Sequence, residues 1–407
     1  MNEELTNWKW LATEEGNDAI LSMPLSPSTA QIAAIRKTLS AEQVRVVSEG
    51  ARARTKALKK LDPSFTSKLI ADIAGVEMAS SSISSLYKAK RFAATLGDNA
   101  VIADLCCGIG GDSWGFGEAG LNPIGVDLDP VRVWMYQNNT GYEALCGDAE
   151  EAFPSGIDGF HLDPARRSVE GKRTLDVEDF EPGPDCWERL IQIHSTGAIK
   201  LNPGVNAYEL PDGECEILSE PAGLTQAVLW IGGLAGEHDR RATKLGANGS
   251  VCTITGQGER PEDSNEIGAF LGTLDPCLER ADLVGEFLNQ TGTSLVHPGT
   301  GMVTTEQSPD HAMVRWHRVY EVMKWNRKRV KAALRGLDAG VVEVRTRGGV
   351  VNPDVEQKYL RGKGKNNKLT ALIYRIDDQL TAVIAERVEQ QKTPHKNVLA
   401  RSDEGGC

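Results

Sequence analysis

Residues 101–112, Val101-Ile102-Ala103-Asp104-Leu105-Cys106-Cys107-Gly108-Ile109-Gly110-Gly111-Asp112, decide the fold. The apolar run Val101-Ile102-Ala103 reads as a buried strand that ends in Asp104, and a loop with glycines at 108, 110 and 111 follows it. Glycine lets a backbone approach a ligand where a side chain would collide. Dinucleotide and phosphate sites share such a loop, so the residues beyond it carry the decision. Ile124-Gly125-Val126-Asp127 is a second apolar strand tipped with an acid, at the spacing of one crossover helix. Cys146-Gly147-Asp148-Ala149 and Phe160-His161-Leu162-Asp163-Pro164 are two further acid-tipped elements. Acids at four successive strand ends line a crevice above a parallel sheet. Doubly wound α/β folds bind their ligands there.

These residues resemble the class I S-adenosylmethionine-dependent methyltransferases. The resemblance implies that Asp104 to Gly110 form the first motif, that Asp127 holds the ribose hydroxyls and that Asp148 faces the adenine amine. It implies cofactor contacts from Asp104, Cys106, Gly108, Gly110, Asp127, Leu128, Asp148 and Ala149. Asp163-Pro164 stands where that family has an Asp/Asn-Pro-Pro-aromatic motif beside the methyl acceptor, which makes Asp163 and Pro164 the expected catalytic residues. The implied cofactor carries a sulfonium and an ammonium and no phosphate, so acids suit it. No Gly-Lys-Ser/Thr follows the glycines, which argues against a nucleoside triphosphate loop. A nicotinamide-binding Rossmann domain is the competing reading. It needs Gly-x-Gly-x-x-Gly and one acid, without acids at the third and fourth strands.

Where amino-directed methylases continue with Pro and an aromatic ring, this chain has Ala165-Arg166-Arg167. An arginine plane can stack on a base or grip a phosphate, so Arg166 and Arg167 are candidate substrate contacts; equally, either can pair with Asp104 or Asp127. Lys200, at the end of the fifth strand, is a third substrate candidate, with a snorkelling lysine as the alternative. Asp112 reads as a helix cap and His161 as a core histidine rather than a general base.

The chain has 407 residues, 40% of them hydrophobic, which bounds it to two or three globular domains. No apolar run approaches the roughly 18 residues of a membrane span, and the N-terminus has no secretory pattern, so a cytoplasmic protein is expected. Eight scattered cysteines show neither a Cys-x-x-Cys pair nor zinc spacing, so no metal is expected. None follows Asp163-Pro164, where a cysteine-dependent RNA methylase would need one. The net charge of −12 hides an asymmetry. Residues 311–401 carry 20 Lys and Arg against 9 Asp and Glu, and residues 29–61 carry 8 against 2. Residues 101–310 carry 12 against 35. An acidic body between basic flanks fits a polyanion held from both sides, and solvated helix faces give the same counts.

Residues 1–95 are expected as a helical N-terminal domain. Ser26-Pro27-Ser28 and Ser40-Ala41-Glu42-Gln43 read as helix starts, and Asp62-Pro63-Ser64 as a break. Residues 96–257 are expected as the methyltransferase domain, an α/β Rossmann-like seven-stranded sheet whose last two strands, Glu214–Leu218 and Ala227–Ile231, form an antiparallel edge pair. Residues 257–265 read as a linker. Helices are expected at Ala281–Leu288 and within the basic stretch Trp316–Leu337, a strand at Val341–Arg345, and a hairpin around Asp377-Asp378. Residues 394–407 read as a frayed tail. Lys88 to Phe92, Asp163 to Arg167, Lys200 to Gly204, Phe270 to Pro276 and Thr346 to Gly349 together resemble bacterial methyltransferases that carry a ferredoxin-like segment and a C-terminal THUMP-like domain. The resemblance assigns these to residues 266–335 and 336–393, a C-terminal α+β portion. It implies methylation of a base nitrogen in structured RNA, ribosomal or transfer. A small-molecule or protein methyltransferase and a non-catalytic RNA-binding protein are the alternatives.

Overall fold

Ser28 and Ser40 each open a helix through a capping box. Ser28 Oγ accepts from Gln31 N–H at 3.3 Å while Gln31 Oε1 accepts from Ser28 N–H at 2.9 Å, and Ser40 and Gln43 repeat the exchange. The computed structural model describes residues 3–24, 27–151, 153–166, 176–260, 266–307, 310–362, 364, 366–376 and 378–389. Ser26, Arg167, Lys363, Lys365, most of the expected linker and the expected tail lie outside the described residues, as does the side chain of Arg166. The chain divides into two compact units, residues 1–218 with 225–239, and residues 219–224 with 240–407.

The first unit begins with helices α1 (Glu3–Trp10), α2 (Glu14–Ser22), α3 (Thr29–Ile35), α4 (Ala41–Ala57), α5 (Pro63–Thr66), α6 (Ile73–Met78) and α7 (Ser82–Leu96). The sheet elements follow: β1 (Val101–Leu105), α8 (Gly111–Glu118), β2 (Asn122–Asp127), α9 (Pro130–Thr140), β3 (Ala144–Cys146), β4 (Gly159–Leu162), the short pair β5 (Ala165–Arg166) and β6 (Phe180–Glu181), α10 (Pro184–Ile193), β7 (Gly197–Leu201), β8 (Glu214–Glu220) and β9 (Gly223–Ile231). Among these strands the order is β8-β9-β7-β4-β1-β2-β3. The pairs from β3 through to β7 are parallel, and β9 runs antiparallel to β7. The order reverses between β1 and β4, which opens a crevice over the carboxyl ends of both.

Burial explains why these segments settle here. Every residue of β4 is buried, as a strand covered on both faces requires. Phe92 of α7 packs on Phe116 edge to face, with centroids 5.2 Å apart, and on Trp230 of β9. Arg91 holds the same helix down: its guanidinium lies 4.4 Å over the Trp230 ring and its Nε donates to Leu234 O at 2.8 Å. The N-terminal helices share a core with α9 through Val131 and Met135. Arg132 of α9 donates to both oxygens of Asp72, at 2.8 and 2.7 Å, which locks α6 beside the sheet.

The second unit contains the hairpin β10 (Arg240–Leu245) and β11 (Val251–Gly256), then β12 (Phe270–Leu274), α11 (Pro276–Arg280), α12 (Val284–Thr291), β13 (Ser294–Leu295), β14 (Met302–Thr305), β15 (Val314–Lys324), α13 (Arg327–Gly336), β16 (Ala339–Thr346), α14 (Pro353–Leu360), β17 (Asn367–Ile376) and β18 (Gln379–Arg387). One seven-stranded sheet runs β13-β14-β12-β15-β18-β17-β16. Val330, Leu334 and Leu360 of α13 and α14 pack on Val342, Leu369, Ala371 and Ile384 of one sheet face. Leu271, Met302, Leu372, Val383 and Ala385 form a second core.

Several elements differ from their sequence reading. The basic stretch 316–337 is half strand, because β15 pairs with β12 on one side and β18 on the other, and Asn326 caps α13 only at Arg327. Lys324 therefore belongs to a strand, as does Lys368, which pairs with Val341. Ala281–Leu288 straddles a break between α11 and α12, where Asp282 takes a φ of +59°.

Candidate active site

Asp104, at the end of β1, is 1% exposed and spends both carboxylate oxygens inside the protein. Oδ2 accepts from the Ser113 hydroxyl at 2.6 Å, and Oδ1 lies 2.9 Å from His161 Nδ1. The chain of contacts continues. His161 Nε2 is 3.2 Å from Lys88 Nζ, and Ser113 Oγ is 2.7 Å from Tyr136 OH. Lys88 forms an ion pair at 2.7 Å with Asp112 Oδ1, off the direction of a good hydrogen bond, while Asp112 Oδ2 accepts from Ser80 Oγ at 2.8 Å. Burial pulls the Lys88 ammonium below its usual value, against the Asp112 carboxylate. Burial alone would raise Asp112, but Lys88 first, then His161 and Lys200, hold it well below the usual carboxylate range. Asp112 is thus no helix cap; Gly110 stands at the N-cap of α8, with no side-chain cap. His161 is a buried structural residue of β4, as its place in the strand predicts.

Above this network lies a cavity of about 740 Å³ at the carboxyl ends of the strands. Asp104, Cys106, Gly108 and Asp112 line it from the glycine loop. Gly108 has a φ of +56°, and a Cβ there would meet nothing within 4 Å, so the bare backbone faces open space. Gly110 is not a lining residue; its φ of +88° lets the chain pass Thr140, whose Cγ2 would lie 2.4 Å from a Cβ. Asp127 lines the next wall and accepts Gly108 N–H at 2.9 Å and Asp129 N–H at 3.0 Å, leaving lone pairs on both oxygens. Burial raises its carboxyl despite those bonds. Leu128 beside it is 64% exposed, an apolar surface presented to the cavity. Asp148 and Ala149 follow from the loop after β3.

The far wall holds Asp163, Pro164, Ala165 and the β6 end Phe180-Glu181-Pro182. Lys200 Nζ donates to Asp163 Oδ2 at 2.5 Å and to Met78 O at 3.3 Å. Burial would lower that ammonium, but Asp163 and then Asp112 outweigh it and leave it above its usual value. Lys200 is fixed rather than snorkelling. Both cations on the lining are ion-paired, Lys200 with Asp163 and Arg132 with Asp72. Burial, then Asp127 and Asp163, push the Cys106 thiol up, so it is no thiolate nucleophile.

Sequence reasoning missed the inner layer. Lys88, Ser84, Ser85, Ala89 and Phe92 are the buried residues of α7, and their three- and four-residue spacing was the available signal. Met78 from α6 and Gln226 from β9 also reach the cavity. Gln226 is 3% exposed, and its Nε2 has no hydrogen-bond partner among the described residues.

A family model described as THUMP domain-like matches residues 314–387, the span from β15 to β18. An uncharacterized S-adenosylmethionine-dependent methyltransferase of Mycobacterium tuberculosis, present in strains H37Rv and CDC 1551, is 29% identical over 301 residues, which cover 71% of this chain and 80% of the relative. The chain is similar to these S-adenosylmethionine-dependent methyltransferases. The crystal structure of a protein assigned as a methyltransferase from Porphyromonas gingivalis W83 has the same fold, with a TM-score of 0.73 at 15% identity over 95% of this chain and 98% of its own. The chain inserts the reversed β9 between β7 and β8 of its sheet, in the α/β Rossmann-like order expected from the sequence. Its cavity suits the cofactor: carboxylates face a ligand that carries two cationic centres, and the exposed Leu128 offers an apolar surface to a flat ring. No described helix is long and apolar enough to cross a membrane, and no described cluster of His, Cys, Asp or Glu could hold a metal ion.

Proposed function

We propose that this protein is an S-adenosylmethionine-dependent methyltransferase that modifies a base nitrogen in structured RNA. The observation that carries the RNA reading is α13 of the THUMP-like segment. Lys328, Arg329 and Arg335 stand exposed on it with no ion pair among the described residues. Arg327 and Lys331 of the same helix are occupied, both over the Tyr359 ring, with Arg327 also paired to Glu356. A helix with one open cationic face suits a phosphate backbone, and THUMP domains proper bind RNA. A cytoplasmic location goes with this reading.

In this reading Asp104, Cys106, Gly108, Gly110, Asp127, Leu128, Asp148 and Ala149 shape the cofactor's place. Asp127 offers its remaining lone pairs to the ribose hydroxyls, and Asp148 faces the adenine amine. Bound there, S-adenosylmethionine supplies a methyl carbon activated by sulfonium. The chain then has to aim a nucleophile and exclude water. Alignment of this kind is worth about 7–11 kcal/mol in favourable cases. Lys200 holds Asp163 Oδ2 and so fixes the carboxylate, leaving Oδ1 to accept a hydrogen bond from the acceptor amine. The Pro164 carbonyl accepts a second one. Arg166 and Arg167 follow directly in sequence and are the candidate acceptor contacts.

Mass mapping of modified nucleosides in ribosomal and transfer RNA, from cells with and without the gene, tests the proposal. One methylated nucleoside should disappear from a defined position. An identical RNA profile, with a methylated protein or small molecule lost instead, would replace RNA as the substrate class.

A further inference from the structure

His317 of β15 is 0% exposed, and neither ring nitrogen has a hydrogen-bond partner among the described residues. Buried polar atoms are almost always bonded, so an imidazole with two free nitrogens needs a reason. Its surroundings supply one. Across the ladder His317 faces Arg387 of β18 on one side and Leu271 of β12 on the other. Arg315, two residues earlier on β15, points to the same sheet face. On β16, Glu343 sits opposite Thr370, which pairs with Ala385, which pairs with Val319, two residues from His317 on that same face. Arg345 is the next residue of β16 on this face, with Nη2 at 2.7 Å from Glu343 Oε1 and with Nε buried and unbonded. Arg315 and Arg387 are exposed and make no ion pair or hydrogen bond among the described residues.

We propose that Arg315, Arg345 and Arg387, over the buried His317, form a binding site for a phosphate group in the second unit. The electrostatics agree with the geometry. Burial first, then Arg345, Arg315 and Arg387, push the His317 imidazole down to about 4, with only Glu343 opposing. Burial, Arg345 and Arg387 likewise lower Arg315, against Glu343 and Asp275. Three cations brought together over one imidazole repel one another, with Glu343 and, at Arg315, also Asp275 opposing, and an anion relieves the repulsion that remains. Glu343 satisfies one fork of Arg345 and leaves the other two guanidinium groups open. A carboxylate has two oxygens for three forks; a tetrahedral phosphate offers more acceptors and up to two charges. The site is distinct from the cavity of the first unit and from the α13 face, and it does not depend on the RNA reading.

The test uses the full-length protein labelled with [15N]histidine and titrated with inorganic phosphate. The His317 ring signals, assigned by their loss in His317→Gln, should shift and saturate. Arg387→Gln or Arg315→Gln should weaken the titration about ten-fold or more. Arg318→Gln should leave it unchanged, because that guanidinium stands on the opposite sheet face, 5.7 Å over Phe270. Short RNA with and without a 5′-phosphate then competes with inorganic phosphate. Displacement by both RNAs assigns the site to backbone phosphate, and displacement by the phosphorylated one alone assigns it to a terminal phosphate. Displacement by neither, with phosphate still bound, assigns it to a small phosphorylated molecule. His317 signals that ignore phosphate, or an equal titration in Arg387→Gln, overturn the proposal whatever RNA does.

Discussion

Lys88 Nζ and Asp112 Oδ1 stand 2.7 Å apart with the lysine side chain 0% and the aspartate 7% exposed. A buried pair of this kind is weak as a source of stability and costly to break, because the surviving charge has nowhere to go. Lys88→Met should therefore destabilise the protein by about 3–5 kcal/mol, read from urea unfolding. Adding Asp112→Asn to Lys88→Met should recover part of the loss. If the single variant unfolds at the wild-type midpoint, the network under the glycine loop is not what holds α7 to the sheet.

Asp127→Ala should weaken S-adenosylmethionine binding by about 1.5–3 kcal/mol for each charged hydrogen bond lost. Calorimetry on a variant whose melting is unchanged measures this directly. The control matters because the same carboxylate accepts Gly108 and Asp129 N–H groups and so shapes its own loop. Wild-type affinity in the folded variant removes Asp127 from the cofactor site.

Asp163→Ala should lower turnover far more than cofactor affinity, the pattern of an interaction made during reaction. Lys200→Met should give a smaller loss in the same direction, because it frees a carboxylate that remains present. An equal fall in binding and turnover for Asp163→Ala would make the residue part of the pocket wall only.

Legibility from sequence followed physical range. The sheet was readable because β1, β2 and β4 are apolar runs ending in acids, and a strand covered on both faces has no other way to be written. The cavity lining was readable for the same reason, since Asp104, Asp127, Asp148 and Asp163 sit at strand ends whose order the fold dictates. Asp112 was misread because a helix-start acid usually caps, whereas here its partner is Lys88, 24 positions earlier on another helix. The basic stretch Trp316–Leu337 was read for its helix alone because β15, its first half, is a strand only by virtue of neighbours far along the chain. The His317 and arginine cluster left no local trace, being assembled from β15, β16 and β18 by register alone.

His317 also makes the stability of the second unit depend on pH. Its folded value of about 4 lies below the ordinary 6.5, owing to burial and to Arg345, Arg315 and Arg387, with Glu343 opposing. Between those values the unfolded chain binds a proton that the folded chain refuses, so stability rises with pH across that window and levels off above it. The whole change is about 3 kcal/mol at one pKa unit per 1.36 kcal/mol. Urea midpoints at several pH values should show this slope in the wild type and a flatter one in His317→Leu. Parallel slopes would mean that the imidazole titrates normally in the folded protein.

The last prediction concerns α13, where Lys328, Arg329 and Arg335 are exposed while Arg327 and Lys331 are engaged with Tyr359. Replacing the three exposed cations by glutamate should leave the helix in place, since its buried residues are Val330 and Leu334. If these cations grip an RNA backbone, affinity should fall and the salt dependence should flatten. Each lost phosphate contact should remove about 0.7–0.9 from the slope of log affinity against log salt. Cofactor affinity should stay at the wild-type value, because every residue lining the cavity belongs to the other unit. The contrast separates the two roles: a charge effect on RNA alone means a docking face, whereas loss of both means a folding defect. An unchanged salt slope in a folded triple variant would move the RNA contact away from α13. The basic residues of α4, Arg45, Arg52, Arg54 and Lys56, would then be tested next, beginning with Arg52, because Arg45 pairs with Glu42, Arg54 donates to Leu69 O and Lys56 pairs with Glu77.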